Sequence, residues 1–134
     1  ALSLLTLNVF VAVDAVIVPL QCEFYALEGL SHLMKTIDRV RATYNPALAV
    51  HGILLTMVDP RSKLSAQVSD DVRSHFGDLV YDTTIPRNVR LSEAPSHGLP
   101  AIVYDMRSPG SVAYINLARE IIKRERAVKE KAVA

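Results

Sequence analysis

Charged and amide side chains follow three short apolar runs of the sequence. The runs are AVIVPL (15–20), HGILLTMV (51–58) and LVYDTTI (79–85), each of strand length. The side chains behind them are Gln21 and Glu23, then Asp59, Arg61 and Lys63, and then Arg87, Asn88 and Arg90. Ligands of open α/β sheets bind beyond the carboxyl ends of the strands, so we expect these segments to form one polar site. Each segment alone also has a plain structural explanation, because proline and aspartate are common turn residues.

The apolar runs alternate with segments of helical period. Helices are predicted over residues 2–12, 26–43 and 64–76, and from about Gly110 towards Lys131, with a short extended piece, AIVYD, at 101–105. The segment TIPRNVRLSEAPSHGLP (84–100) has no clear period and is expected to be an irregular loop with a function. Strands separated by helices predict an α/β fold, with a parallel sheet, flanking helices and right-handed crossovers.

Length and composition indicate one domain over residues 1–134, in which residues 119–134 form a terminal helix or tail. Half of the 134 residues are hydrophobic and the net charge is +1, so neither a disordered nor a strongly basic protein is indicated. A single cysteine, Cys22, excludes an internal disulfide and fits a reducing cytosol. The longest apolar run is broken by Asp14 and Pro19, short of the roughly 20 residues of a bilayer span. The start at Ala1, inside a helical pattern, suggests a fragment.

Three stretches of the sequence resemble one known family. They are LTLNVFVAVDAVIVPLQCEFYALEGL, LLTMVDPRSKLSAQV and TIPRNVRLSEAPSHGLPAIVYDMRSPGSVAY, and the similarity runs to about Glu120. They resemble the carboxyl-terminal half of the ParA/Soj chromosome-partitioning ATPases, which belong with MinD to the deviant Walker P-loop group. The resemblance implies the C-terminal portion of a P-loop NTPase fold, a Rossmann-like three-layer arrangement, and a role in chromosome or plasmid partitioning.

The resemblance implies nucleotide contacts in the three polar segments. Adenine is expected to lie against Pro86, Arg87 and Asn88, and to be flanked by Thr56, Met57 and Asp59. Proline and methionine offer apolar faces for a purine, and asparagine can hydrogen-bond its edge. Glu23 matches a position near the ribose of the nucleotide bound by the partner subunit of a dimer. Glu23 could equally be the acidic residue that complements the dipole of the following helix.

The resemblance also implies DNA binding without sequence preference by an ATP-bound homodimer. The basic residues that match are Arg61, Arg87, Arg90 and Arg107. Guanidinium groups fit phosphate oxygens, and such binding depends on local charge more than on the net charge of the chain. The alternative is that one or two of these arginines pair with Asp59, Glu93 or Asp105.

The cofactors implied for the family are ATP and Mg²⁺, and the partners are a ParB-type protein and nucleoid DNA in the bacterial cytoplasm. The sequence has no glycine-rich phosphate loop, since its five glycines are isolated. The aspartate that holds the metal in the family would fall before Ala1. We therefore expect this chain alone to bind neither ATP nor Mg²⁺ tightly and not to hydrolyse ATP.

Other functions remain open on the sequence alone. A stand-alone module that binds DNA or protein without nucleotide turnover would use the same basic loops. A MinD-like positioning ATPase is disfavoured because the tail lacks the aromatic-tipped amphipathic helix of a membrane anchor, so no membrane partner is expected. A carrier for metal clusters is disfavoured by the absence of a C-x-x-C pair, and the four histidines show no metal-ligand spacing.

Overall fold

Two parallel strands and six helices make up the regular structure in the computed structural model, which describes residues 3–134. The helices and strands in chain order are α1 (Leu4–Ala12), β1 (Ala15–Gln21), α2 (Ala26–Thr43), β2 (Ala49–Thr56), α3 (Lys63–Phe76), α4 (Val89–Glu93), α5 (Ala101–Tyr104) and α6 (Pro109–Val133). Short 3₁₀ turns lie at Gly77–Leu79 and Ala94–His97. The predicted α/β class with flanking helices is confirmed. The predicted start of the first helix at residue 2 lies outside the described residues.

The two strands pair in parallel, from Ala15 opposite Ala49 to Gln21 opposite Thr56, with one bulge after Val16. β2 is the more deeply buried strand, since Ile53, Leu54 and Leu55 are shielded on both faces, as expected for a strand between layers of helices. β2 lies two residues earlier than predicted, because its ladder with β1 ends at Thr56 and the next residue leaves the extended conformation.

The apolar stripe of α2 packs on the sheet. Leu30, Ile37 and Val40 are almost fully buried at helical spacing, in two clusters that together join β1, β2, α1 and α3. The observed helix, 26–43, is the predicted one. After it, the Asn45 side chain donates hydrogen bonds to the Phe10 and Val13 carbonyls at 3.0 and 2.9 Å, which fixes the end of α1.

The predicted third strand, 79–85, is wrong as a regular strand. Val80 bridges Ile53 and Pro86 bridges Val58, both in parallel, so this segment follows β2 only at its two ends. Between these points the N–H groups of Asp82 and Thr83 donate to the carboxylate of Glu120 on α6, at 2.7 and 2.9 Å. Glu120 on α6 therefore accepts the hydrogen bonds that these two N–H groups would donate to a neighbouring strand in a β-ladder.

The predictions for residues 84–105 are also corrected. The segment 84–100, expected to be an irregular loop, contains α4 and a 3₁₀ turn that ends at Gly98 with φ 63°. The segment AIVYD, expected to be extended, forms α5, because the Pro100 carbonyl accepts the N–H groups of Val103 and Tyr104, both at 2.9 Å.

The long helix α6 is anchored to the sheet by a polar cluster. Its N-cap is Ser108, and Ala113 and Leu117 are buried. Further along, the Arg124 guanidinium lies 4.4 Å above the buried ring of Tyr81 and donates to the Val80 carbonyl at 2.9 Å. Gly52 on β2 is required beneath that ring, because a Cβ there would lie 2.4 Å from a ring carbon. None of the helices formed by residues 3–134 has both the length and the apolar content needed to cross a bilayer.

Candidate functional site

A cavity of about 460 Å³ lies beyond the carboxyl ends of β1 and β2. Its lining includes Gln21 from β1, Thr56 and Met57 after the β2 ladder, and Pro86, Arg87 and Asn88 from the segment that leads into α4. Of the three predicted polar segments, the first contributes Gln21 and the third contributes Arg87 and Asn88, whereas none of Asp59, Arg61 and Lys63 lines the cavity. The volume is within the roughly 300–1,000 Å³ typical of small-molecule sites.

The sequence did not reveal part of this lining. Pro19 comes from β1, Leu91 and Ser92 come from α4, and Tyr114 comes from α6. Tyr114 lies 28 positions after Pro86, and no strand follows residue 86 in the described part of the chain, so the docking of α6 brings Tyr114 to the cavity. The sequence signal that could have identified Tyr114 was an aromatic residue about one turn into the predicted long helix.

Met57 gives the cavity a strained backbone. Its φ is 54°, the left-handed region that costs a non-glycine residue on the order of 1–2 kcal/mol. Two hydrogen bonds stabilise the chain around this turn, from Val58 N–H to the Ile85 carbonyl at 3.1 Å and from Arg87 N–H to the Val58 carbonyl at 3.0 Å. The turn presents a methionine side chain, 41% exposed, at the cavity.

Asn88 carries a buried acceptor without a protein donor. Its Oδ1 is closed off from solvent and receives no hydrogen bond from residues 3–134, although the residue lines the cavity. Asn88 is the N-cap of α4, but its side chain makes no capping hydrogen bond. A buried acceptor that lacks its hydrogen bond costs about 1–3 kcal/mol. The terminal torsion of asparagine is soft, so the carboxamide can change its orientation at little cost.

Two of the predicted nucleotide contacts lie outside the cavity lining. Asp59 accepts hydrogen bonds from the N–H and the Nε of Arg61, at 3.0 and 3.2 Å. These contacts, with a smaller effect of the Arg87 charge, hold the pKa of Asp59 below its usual value. Glu23 is exposed in the turn before α2 and makes no side-chain hydrogen bond within the described part of the chain.

The four candidate DNA-binding arginines fall into two groups, those with a carboxylate partner and those without one. Arg61 is paired with Asp59. Arg90 is paired with Glu93 at 3.0 Å and with Asp105 at 3.3 Å, so the sequence alternative of local ion pairs is found for both. Within residues 3–134, Arg87 and Arg107 have no carboxylate at ion-pair distance. Asp105 links the two groups, because its other oxygen accepts the backbone N–H of Arg107 at 3.2 Å.

Residues that could support other chemistry are held in structural roles. Cys22 is buried, and burial raises the pKa of its thiol despite a hydrogen bond with Ser65, so it is not an activated nucleophile. Among residues 3–134 there is no group of three or more histidine, cysteine or acidic side chains placed to hold a metal ion.

Parallel strands flanked by helices, with a cavity at the carboxyl edge of the strands, define an α/β fold of the kind found in P-loop NTPases. A solved structure of cobyrinic acid a,c-diamide synthase from Mycobacterium smegmatis, with a bound ATP analog and magnesium, is similar to the chain, with a TM-score of 0.71 and 32% identity. The match covers 94% of this chain and 44% of that one. A family model described as an AAA domain matches residues 1–50.

Curated relatives narrow the class to one family. The chain is 60% identical to the chromosome partitioning protein ParA of Caulobacter vibrioides, over 98% of this chain and 49% of that protein. It is 54% identical to the sporulation initiation inhibitor protein Soj of Bacillus subtilis, over 90% and 48% of the two chains. Over nearly its whole length the chain is therefore similar to ParA and Soj proteins, the family that its sequence predicted. It spans about half the length of the curated relatives it matches.

Proposed function

We propose that this chain forms the adenine-binding and DNA-contacting part of an ATPase that partitions chromosomes or plasmids. The observation that carries the proposal is the cavity at the strand ends, with the buried acceptor of Asn88 beside it. The relatives named as partitioning ATPases and the similar structure with an ATP analog and magnesium support ATP as the ligand.

The lining of the cavity suits a purine base. Pro86 and Met57 supply apolar surfaces for its faces, and the Asn88 carboxamide supplies an acceptor for an exocyclic amino group, which adenine has at its Watson–Crick edge. ATP with Mg²⁺ would supply the phosphoryl group for transfer. Since the sequence contains no glycine-rich phosphate loop, the groups that cradle the phosphates would come from outside these residues. The role of this chain is to bind and orient the base.

The arginine loops are the proposed DNA contacts. Arg87 and Arg107 lack carboxylate partners in the described residues and can receive phosphate oxygens directly, whereas Arg61 and Arg90 would share their charge with Asp59, Glu93 and Asp105. An ATP-bound homodimer would double these charges, with Glu23 near the ribose across the interface. A ParB-type protein would be the stimulating partner, and nucleoid DNA in the cytoplasm would be the site of action.

The proposal is tested by nucleotide and DNA binding on this chain and on a protein of the relatives' full length that contains it. Calorimetry with ATP and GTP measures base preference, and anisotropy of a labelled duplex over a range of salt concentrations measures DNA binding. We expect the longer protein to prefer ATP, to hydrolyse it and to bind DNA more tightly with ATP present.

A matched pair of variants makes the DNA part of the test specific. Arg107 does not line the cavity, and Arg107→Gln should reduce the magnitude of the slope of log affinity against log salt by about 0.9, the value for one lost phosphate contact. Arg39→Gln removes the same charge from an exposed position on α2 and should leave the slope unchanged. If both proteins bind DNA equally well whether or not ATP is present, and neither binds ATP, the chain is a DNA-binding module and the ATPase proposal is wrong.

A further inference from the structure

We propose that a basic stripe on the outward face of α6, formed by Arg119, Lys123 and Arg126, is a second contact with the phosphate backbone of duplex DNA. The inference rests on the proposed DNA-binding function and adds a surface that is separate from the arginine loops. It assigns a role to the middle of the longest helix, just beyond its buried residues.

The stripe follows from the spacing of its residues. Positions 119, 123 and 126 are four and three residues apart and so lie on one side of a helix. They border one surface groove together with Ile122, Ala127 and Glu130. The opposite side of α6 faces the sheet through Ala113 and Leu117. With a rise of 1.5 Å per residue, the stripe is about 10 Å long, enough to meet two successive phosphates of one DNA strand.

Two of the three acidic residues of α6 are engaged away from this stripe. Glu120 is occupied by the N–H groups of Asp82 and Thr83 and by Arg124. Glu125 pairs with His51 at 2.9 Å. These contacts turn two carboxylates towards the body of the protein, and the basic side chains between them are left on the outside.

The basic side chains themselves have little else to bind. In the part of the chain that the structure describes, none of Arg119, Lys123 and Arg126 forms an ion pair, and the one hydrogen bond among them joins Arg119 to Asn116 at 3.4 Å. Glu130 is the single acidic residue along the groove. The face therefore carries an excess of positive charge that suits a polyanion.

DNA fits this face better than a membrane does. A helix that lies in a lipid interface needs a broad apolar side, usually with aromatic residues. The groove offers Ile122 and Ala127 as its apolar residues and no aromatic ring. Arginine and lysine without an apolar face are typical of contacts with phosphates, which need only charge and donors.

The test compares two double variants of equal charge in the salt-dependent anisotropy assay. Lys123→Gln with Arg126→Gln removes two charges from the stripe, and Lys35→Gln with Arg39→Gln removes two from exposed positions of α2. We expect the stripe variant to reduce the magnitude of the slope of log affinity against log salt by about 1.8, which is two phosphate contacts at about 0.9 each. The α2 variant should leave this slope unchanged. Circular dichroism checks that both variants keep their helices.

The other outcomes separate this inference from the proposed function. If Arg107→Gln reduces the magnitude of the slope and the stripe variant does not, DNA binding stands and the stripe inference is wrong. Equal losses in both double variants would mean a general charge effect and would also overturn it. If no variant changes the slope, both proposals fail. Vesicles of equal parts phosphatidylglycerol and phosphatidylcholine are the last control, because loss of vesicle binding with an unchanged DNA slope would make the stripe a lipid-binding face.

Discussion

Replacing Asn88 by leucine should move protein stability and nucleotide affinity in opposite directions. In the unliganded chain the Oδ1 of Asn88 is buried without a donor, and the side chain makes no capping bond to α4. Leucine has a similar size and removes the desolvated acceptor, so Asn88→Leu should raise the free energy of unfolding by about 1 kcal/mol, the lower end of the cost of an unpaired buried acceptor. That change corresponds to roughly 3–5 °C in the melting temperature.

The same substitution should weaken ATP binding. The adenine amino group would lose its acceptor and remain unpaired in the cavity, at a cost of about 1–2 kcal/mol, or 5- to 30-fold in affinity. Urea unfolding measures the first effect and calorimetry with ATP the second, in a protein of the relatives' full length. Gln67→Leu, an exposed amide on α3, is the control and should leave ATP affinity unchanged. A destabilised Asn88→Leu protein with unaltered ATP affinity would refute the reasoning, because Asn88 would then be purely structural.

Three further predictions test the strain, the ion pairs and the helix anchor. Met57→Gly should raise the free energy of unfolding, measured in urea, by about 1 kcal/mol, because glycine adopts positive φ without penalty. The same substitution should weaken ATP binding, because the cavity loses an apolar surface. No gain in stability would mean that the turn is unstrained. Glu93→Gln should raise DNA affinity by up to about fivefold in anisotropy assays, since an exposed ion pair to Arg90 is worth about 0–1 kcal/mol; a lower affinity would exclude Arg90 as a phosphate ligand. Burial alone would raise the pKa of Glu120, but the N–H of Thr83 and other donors lower it below the usual 4.5, so its stabilising contribution is complete above that pH and is lost as the pH falls through the lower, folded-state pKa. Glu120→Gln should therefore reduce the loss of unfolding free energy between neutral pH and about pH 3, measured by urea unfolding. An unchanged pH dependence would contradict the stabilising role of the Glu120 carboxylate.

The elements that the sequence predicted well are those set by local pattern. The helix at 26–43 has a regular apolar spacing and an Asn-Pro stop, so both of its ends were correct. The rule that parallel strands bring their carboxyl ends to one edge correctly placed Gln21 with Arg87 and Asn88. It did not place the segment of Asp59, Arg61 and Lys63, and Thr56 was implied by the family resemblance.

The wrong predictions depend on contacts between distant residues. The segment 79–85 has strand composition, but its amides bond to Glu120, 38 positions beyond Asp82, and no local pattern contains that information. The positive φ of Met57, which ends β2 early, is similarly imposed by hydrogen bonds from the next loop. The sequence left open whether Arg61 and Arg90 form ion pairs with carboxylates. The acidic residues were present in the sequence, but no local pattern showed which arginine each of them would contact.

The edge of β1 that faces away from β2 has no strand beside it within residues 3–134, which leaves it available to a strand from outside these residues. Within the described residues β1 pairs only with β2, and its other edge carries backbone groups together with the exposed side chain of Ile17. A second chain that supplied a parallel strand would find hydrogen-bond partners and an apolar contact already in place. We expect separately expressed pieces that join along this edge to show the ATP-dependent DNA binding proposed above, which would serve as the readout of correct joining.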